Sequence, residues 1–141
     1  MKYIIDTDLY IELLRTGQYH DIIAEIYVKE TPYIYFSSIV AQELLSGVIN
    51  ETGRKSVEAI LAPFEKAQRI VTPGHNIWKE TGQVLSKLRT EKPDLKTKLS
   101  RMINDTLIAM SARAIGATVV TLNAFDFEAI KSVRKFSYIT V

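Results

Sequence analysis

The 141-residue chain contains no cysteine. That excludes disulfides, a thiol nucleophile and thiolate zinc sites, and it fits a reducing cytoplasm, the expected location. Its two histidines, His20 and His75, stand in different segments, and each reads as a surface or capping residue rather than a base or ligand. Glycine is sparse: the six glycines, at positions 17, 47, 53, 74, 82 and 116, are isolated from one another. There is accordingly no glycine-rich loop to cradle a nucleotide, and no serine elbow of the G-x-S-x-G kind. No apolar run approaches the roughly 18 residues of a membrane span, so no membrane association is expected. Only Met1–Ile5 precede the first candidate acid, and no signal peptide is expected. Internal repeats, low-complexity tracts and linkers are also missing. With 47% hydrophobic and 24% charged residues the composition is that of a globular protein. Residues 1–141 are expected to form one domain.

Charge is present but unevenly placed. Residues 1–70 carry 10 acidic and 7 basic side chains, whereas residues 71–141 carry 6 acidic and 11 basic ones. Lys79, Lys87, Arg89, Lys92, Lys96, Lys98 and Arg101 crowd one stretch. A solvated helix face explains such a run, and so does a surface for a polyanion.

Five short apolar runs read as strands: Tyr3–Ile5, Tyr33–Phe36, Arg69–Thr72, Thr118–Leu122 and Tyr138–Val141. Between them, helical spacing is seen around Leu9–Leu14 and over Asp21–Glu30, Ile39–Ile49, Arg54–Lys66, Ile77–Arg89 and Ser100–Ile115. Pro32 marks a boundary, and a basic connection around Pro93 spans Thr90–Leu99. Strands alternating with helices imply a parallel sheet covered on both faces. Ligands in such folds bind beyond the carboxyl ends of the strands, which directs attention to Asp6, Ser37-Ser38, Thr72 and Asn123.

Four acids sit in apolar surroundings. Asp6 ends the first strand, Glu43 lies in Ile39-Val-Ala-Gln-Glu43-Leu-Leu, Asp105 in Met102-Ile-Asn-Asp105-Thr-Leu, and Asp126 just past the fourth strand. Each has an ordinary explanation: a helix cap for Asp6 or Asp105, an inter-helix ion pair for Glu43, a turn for Asp126. A carboxylate buried without a partner is costly. If these acids converge, a divalent cation must neutralise them, and oxygen-only ligands select Mg²⁺ or Mn²⁺ over zinc. Such an ion acidifies a water and steadies charge on phosphorus, which makes a phosphodiester the natural substrate.

The order Ile5-Asp6-Thr7-Asp8-Leu9, Ser37-Ser38, Glu43-Leu44-Leu45-x-Gly47, Asn104-Asp105-Thr-Leu-Ile-Ala109 and Ala117-Thr118-Val-Val-Thr121-Leu-Asn123-x-x-Asp126-Phe127 resembles that of PIN domains, and the chain length is similar to that of VapC toxins of toxin–antitoxin pairs. The resemblance implies a three-layer α/β sandwich with a central, mainly parallel five-stranded sheet flanked by helices. It further implies a Mg²⁺- or Mn²⁺-dependent endoribonuclease that forms a homodimer and is inhibited by a cognate antitoxin protein. By position, Asp6, Glu43 and Asp105 match the family's core acids. Asn123 stands where many members carry an acid, and Asp126, three residues on, is the fourth candidate for catalysis and metal binding. Asp8 occupies a position often filled by Asn. Thr7, Ser38, Asn104 and Asn123 are expected to orient ligands or waters. Two other readings remain open: a catalytically weak PIN domain that binds RNA or a protein partner, and a haloacid-dehalogenase-type phosphotransferase with Asp6 as nucleophile.

Overall fold

β-Branched and aromatic runs build the strands of the computed structural model, which describes residues 1–30 and 33–141. They are β1 (Lys2–Ile5), β2 (Ile34–Ser37), β3 (Ile70–Val71), β4 (Ala117–Thr121) and β5 (Ser137–Thr140). The helices are α1 (Thr7–Thr16), α2 (His20–Glu30), α3 (Ser38–Ser46), α4 (Glu51–Lys66), α5 (His75–Glu91), α6 (Ile103–Ile115) and α7 (Ala124–Val133), with a 3-10 segment at Pro93–Met102. Thr31 and Pro32, the latter the expected boundary, lie outside the described residues.

The sheet runs in the order β3-β2-β1-β4-β5, and every neighbouring pair is parallel. It is thus wholly rather than mainly parallel. Ile4, Ile5, Ile34, Phe36, Val119 and Val120 are almost completely buried, as strands covered on both faces require. Helix α3 packs on both α1 and α4, and α5, α6 and α7 pack on one another, giving a helical layer on each side. The chain leaves β1 toward β2 and β3, then returns to pair β4 with the other side of β1. That reversal opens a crevice beyond the carboxyl ends of β1 and β4.

Two stretches differ from expectation. Pro93–Met102 is not an open connection but a series of 3-10 turns. Leu95, Leu99 and Met102 are buried, and their 4- and 3-residue spacing pulls the basic stretch down onto the core. Helix α6 therefore starts at Ile103 rather than Ser100. The segment after Asn123 is a helix and not a simple turn: the Asn123 side chain accepts from the Asp126 backbone N–H at 3.2 Å, and Phe127 and Ile130 are buried on one face. Gly116 ends α6 with φ 68°, a left-handed conformation that turns the chain straight into β4.

Candidate active site

The reversal point gathers carboxylates from four elements. The Asp6 backbone N–H donates to the Val120 carbonyl at 2.9 Å, which holds the residue in line with the sheet as its side chain turns to cap α1. Its Oδ1 accepts from the Thr7 N–H at 2.8 Å and its Oδ2 from the Thr121 hydroxyl at 2.7 Å. In the first turn of α1, Asp8 Oδ2 lies 3.1 Å from the Leu122 N–H and 3.2 Å from the Thr121 hydroxyl. From α3, Glu43 Oε1 accepts from the Thr7 hydroxyl at 2.7 Å. From α6, Asp105 Oδ2 lies 3.3 Å from the Asn123 amide nitrogen, which also donates to Asp126 Oδ2 at 3.0 Å. Asp126 Oδ1 accepts from the Lys98 ammonium at 2.7 Å.

Hydroxyl and amide donors are thus interleaved with the acids, and the electrostatics show how far they compensate. Burial, then the charge of Asp8, pushes the Asp6 carboxyl up to about 7 against the pull of Thr121 and the Thr7 N–H. Burial raises Asp105 to about 8, with the charges of Asp6, Asp126, Glu43 and Asp8 adding to it. Asp8 is raised as well, chiefly by burial. Asp126 is the exception. Burial works to raise it, but hydrogen bonds from Lys98 and Asn123 prevail and hold it below the ordinary carboxylate range. Asp6, Asp8 and Asp105 therefore resist ionisation in the metal-free protein, whereas Asp126 has its own cation.

The donor set suits a hard divalent cation. It is oxygen-only, and Asp8 Oδ1 is buried with no hydrogen-bond partner. Among the described residues no three His, Asp or Glu side chains are drawn together tightly enough to cage an ion by themselves. An ion that keeps several waters and shares its ligands with a phosphate needs no such closed cage.

The chain matches the PIN domain family over residues 3–131. It belongs to the PIN domain family. A chain of the DNA-bound VapBC complex of Salmonella typhimurium is similar to this PIN domain at 22% identity, covering 99% of this chain and 98% of that one, with a TM-score of 0.71. A chain of Rickettsia felis VapBC2, bound to a promoter DNA fragment, is 25% identical over 100% and 99% of the two chains, with a TM-score of 0.66. For FitAcB of Neisseria gonorrhoeae the identity is 21% over 97% and 96%, with a TM-score of 0.74. No curated protein matches by sequence.

Within this PIN domain, the expected site residues divide. Asp6, Glu43, Asp105, Asp126, Thr7 and Asn123 are brought into one linked cluster. Ser38 instead shares a hydrogen bond with Thr72, while Ser37 caps α3 by accepting from the Ile39 N–H at 3.1 Å. Asn104 is half-buried in the first turn of α6. The cap expected of Asp6 exists, and it does not compete with membership of the cluster. Sequence reasoning gives Asp8 too little weight and misses Thr121 and the role of Lys98. The Asp6-x-Asp8 spacing is the available signal for Asp8, because the second residue of a helix starting at Thr7 still faces the strand ends. Of the basic run, Lys98 is the member hydrogen-bonded to this cluster among the described residues; Lys79, Lys87, Arg89, Lys96 and Arg101 are exposed. His20 and His75 are exposed at the starts of α2 and α5.

Proposed function

We propose that this PIN domain is a Mg²⁺- or Mn²⁺-dependent endoribonuclease and the toxin of a toxin–antitoxin pair. The observation that carries the reading is the gathering of Asp6, Asp8, Glu43 and Asp105 at the sheet's reversal point, two of them pushed up to about 7 and about 8. Asp6, Glu43 and Asp105 hold the cation, and Asp8 adds its unpartnered oxygen. When bound, the cation supplies positive charge for the scissile phosphate and an acidified water. The chain's own groups do the positioning. Thr7 fixes Glu43, Thr121 fixes Asp6 and Asp8, and Asn123 fixes Asp105 against Asp126. Asp126 acts through Asn123 and Lys98, and Asn104 orients water beside Asp105. Water attacks phosphorus in line, the P–O3′ bond breaks, and the products carry a 5′ phosphate and a 3′ hydroxyl.

The toxin part is supported by similarity to structures whose names are those of VapBC and FitAcB complexes. A cognate antitoxin needs apolar surface to cover, and we place its contact at the mouth of a cavity of about 460 Å³ beside Tyr27 and Ile60, floored by the buried Tyr10 and Phe64. The working form is a cytoplasmic homodimer. Family membership leaves the phosphotransferase reading of Asp6 without support. A second reading, RNA or partner binding with feeble cleavage, is favoured by one feature: Asn123 offers a neutral amide where an acid could stand.

The test is cleavage of total RNA with end mapping, in Mn²⁺, in Mg²⁺ and in excess EDTA. Defined cuts bearing 5′ phosphates are expected with metal, reduced at least about 100-fold in EDTA and in the Asp6→Asn and Asp105→Asn variants. Full activity in EDTA, or in both variants, overturns the reading. Tight RNA binding with negligible cleavage in metal selects the second.

A further inference from the structure

Phe125 is 64% exposed at the start of α7, one residue from Asp126. A single exposed ring needs no explanation, but this one is built into its surroundings. The Lys98 ammonium stands 4.5 Å from the ring centroid while donating to Asp126 Oδ1 at 2.7 Å. One ammonium thus joins the ring to the acid cluster: Lys98 to Asp126, Asp126 to Asn123, Asn123 to Asp105. The ring also lines an open cleft of about 730 Å³ together with Lys92, Leu95, Glu128 and Tyr138. The cleft leads away from the acids along α7 and the 3-10 segment, and Tyr138 donates to Glu128 there.

We propose that Phe125 and Lys98 form a subsite for an unpaired nucleotide next to the scissile phosphate, the ring stacking on its base and the ammonium holding its phosphate. This rests on the reading of the protein as an RNA nuclease and adds the two side chains that grip the nucleotide beside the cut. Lys98 has three donors and spends one on Asp126, which leaves two for phosphate oxygens. Asp126 pins that cation beside a carboxylate cluster that would otherwise repel the backbone of the substrate. A flat apolar ring with a cation beside it is how proteins hold single-stranded nucleic acid without reading its sequence. The cap of α7 fixes the backbone beneath the ring and the Lys98 ammonium stands over the ring, so part of the ordering that stacking needs is already in place.

The experiment uses the cleavage-deficient Asp6→Asn protein as background and measures binding of a short single-stranded RNA in Mg²⁺. The same RNA with one abasic position, and a duplex of equal length, serve as companion probes. Phe125→Ala is expected to weaken binding of the single strand roughly 5- to 100-fold, and Phe125→Trp to preserve it. The abasic RNA should bind the background protein more weakly than the intact RNA does, whereas Phe125→Ala should bind the two equally. The duplex should bind more weakly than the single strand and be indifferent to Phe125→Ala. Because the ring is exposed, melting temperatures should be unchanged. Equal single-strand affinities with and without Phe125→Ala, or a weakened grip on a partner protein with RNA affinity intact, overturn the subsite. If wild-type protein still cuts RNA in metal, that failure leaves the nuclease reading standing; if wild-type protein cuts none, the nuclease reading itself has failed.

Discussion

Asp105 and Asp6 hold protons that an unfolded chain would have released. Their carboxyls titrate near 8 and 7 in the folded, metal-free protein against an ordinary 3.8. Between about pH 4 and pH 8 the native state therefore binds more protons than the unfolded state, and stability must fall as pH rises through that window. The expected outcome is a melting temperature in EDTA that declines from pH 5 to pH 8 and then levels. Asp105→Asn should flatten the decline and melt higher than the parent at pH 8, since a neutral amide removes the repulsion. A parent whose melting temperature rises over the same range, with Asp105→Asn parallel to it, would contradict the assignment. Asp126, held low by Lys98 and Asn123, pulls the other way but below the ordinary carboxylate range. Asp6, Glu43, Asp105 and Asp126 are readable in the sequence because each lies in apolar surroundings, whereas Asp8 sits beside Thr7 and Asp6 and is not. Nor are their donors: Thr121 lies 115 residues from Asp6, and Lys98 lies 28 from Asp126 within a run of similar lysines. Only the fold says which lysine points inward.

Helix α7 shows how one side chain can serve both an element and a site. Asn123 caps it through Oδ1 and uses its amide nitrogen on Asp105 and Asp126. Asn123→Ala should cost about 1 kcal/mol from the lost cap alone. Asn123→Asp keeps a cap acceptor but replaces a donor with a further negative charge. It should therefore melt lower than the parent in EDTA and recover more with Mn²⁺ than the parent does. Equal Mn²⁺ shifts in the two proteins would argue that Asn123 does not face the cation. Gly116 is the purely conformational case. Nothing lies within 4 Å of a Cβ built there, so Gly116→Ala is expected to cost about 1–2 kcal/mol through its φ of 68° and not through a clash. Chemical denaturation reads that cost directly. Element types are largely legible from apolar spacing, because strands and helices of this sheet are short and cleanly alternating. The differences fall where polar residues mask the apolar pattern. In α7 the cap signal Asn123-x-x-Asp126 reads as a turn, although Phe127 and Ile130 mark a buried face. In Pro93–Met102 the lysines draw attention away from Leu95, Leu99 and Met102.

Taken whole, the molecule places acids at the reversal of its sheet and basic side chains along α5 and the 3-10 segment. Lys96 and Arg101 are exposed there, as a backbone-gripping surface requires. Replacing both by glutamine should weaken RNA binding and reduce the slope of log affinity against log salt by about 0.7 for each phosphate no longer neutralised. Equal slopes would remove this surface from the RNA path. Topology is legible as far as the alternation of strands and helices, but the return of β4 to the far side of β1 is not, since nothing local encodes strand order. That return is what brings Thr121, Asn123 and Asp126 to Asp6. The central claim is that Asp6, Glu43 and Asp105 share one divalent cation, and Mn²⁺ titration of the purified protein by calorimetry tests it most directly. A single class of Mn²⁺ site is predicted in the wild type, weakened at least about tenfold in Asp6→Asn, Glu43→Gln and Asp105→Asn alike. Unchanged Mn²⁺ affinity in all three variants would contradict it.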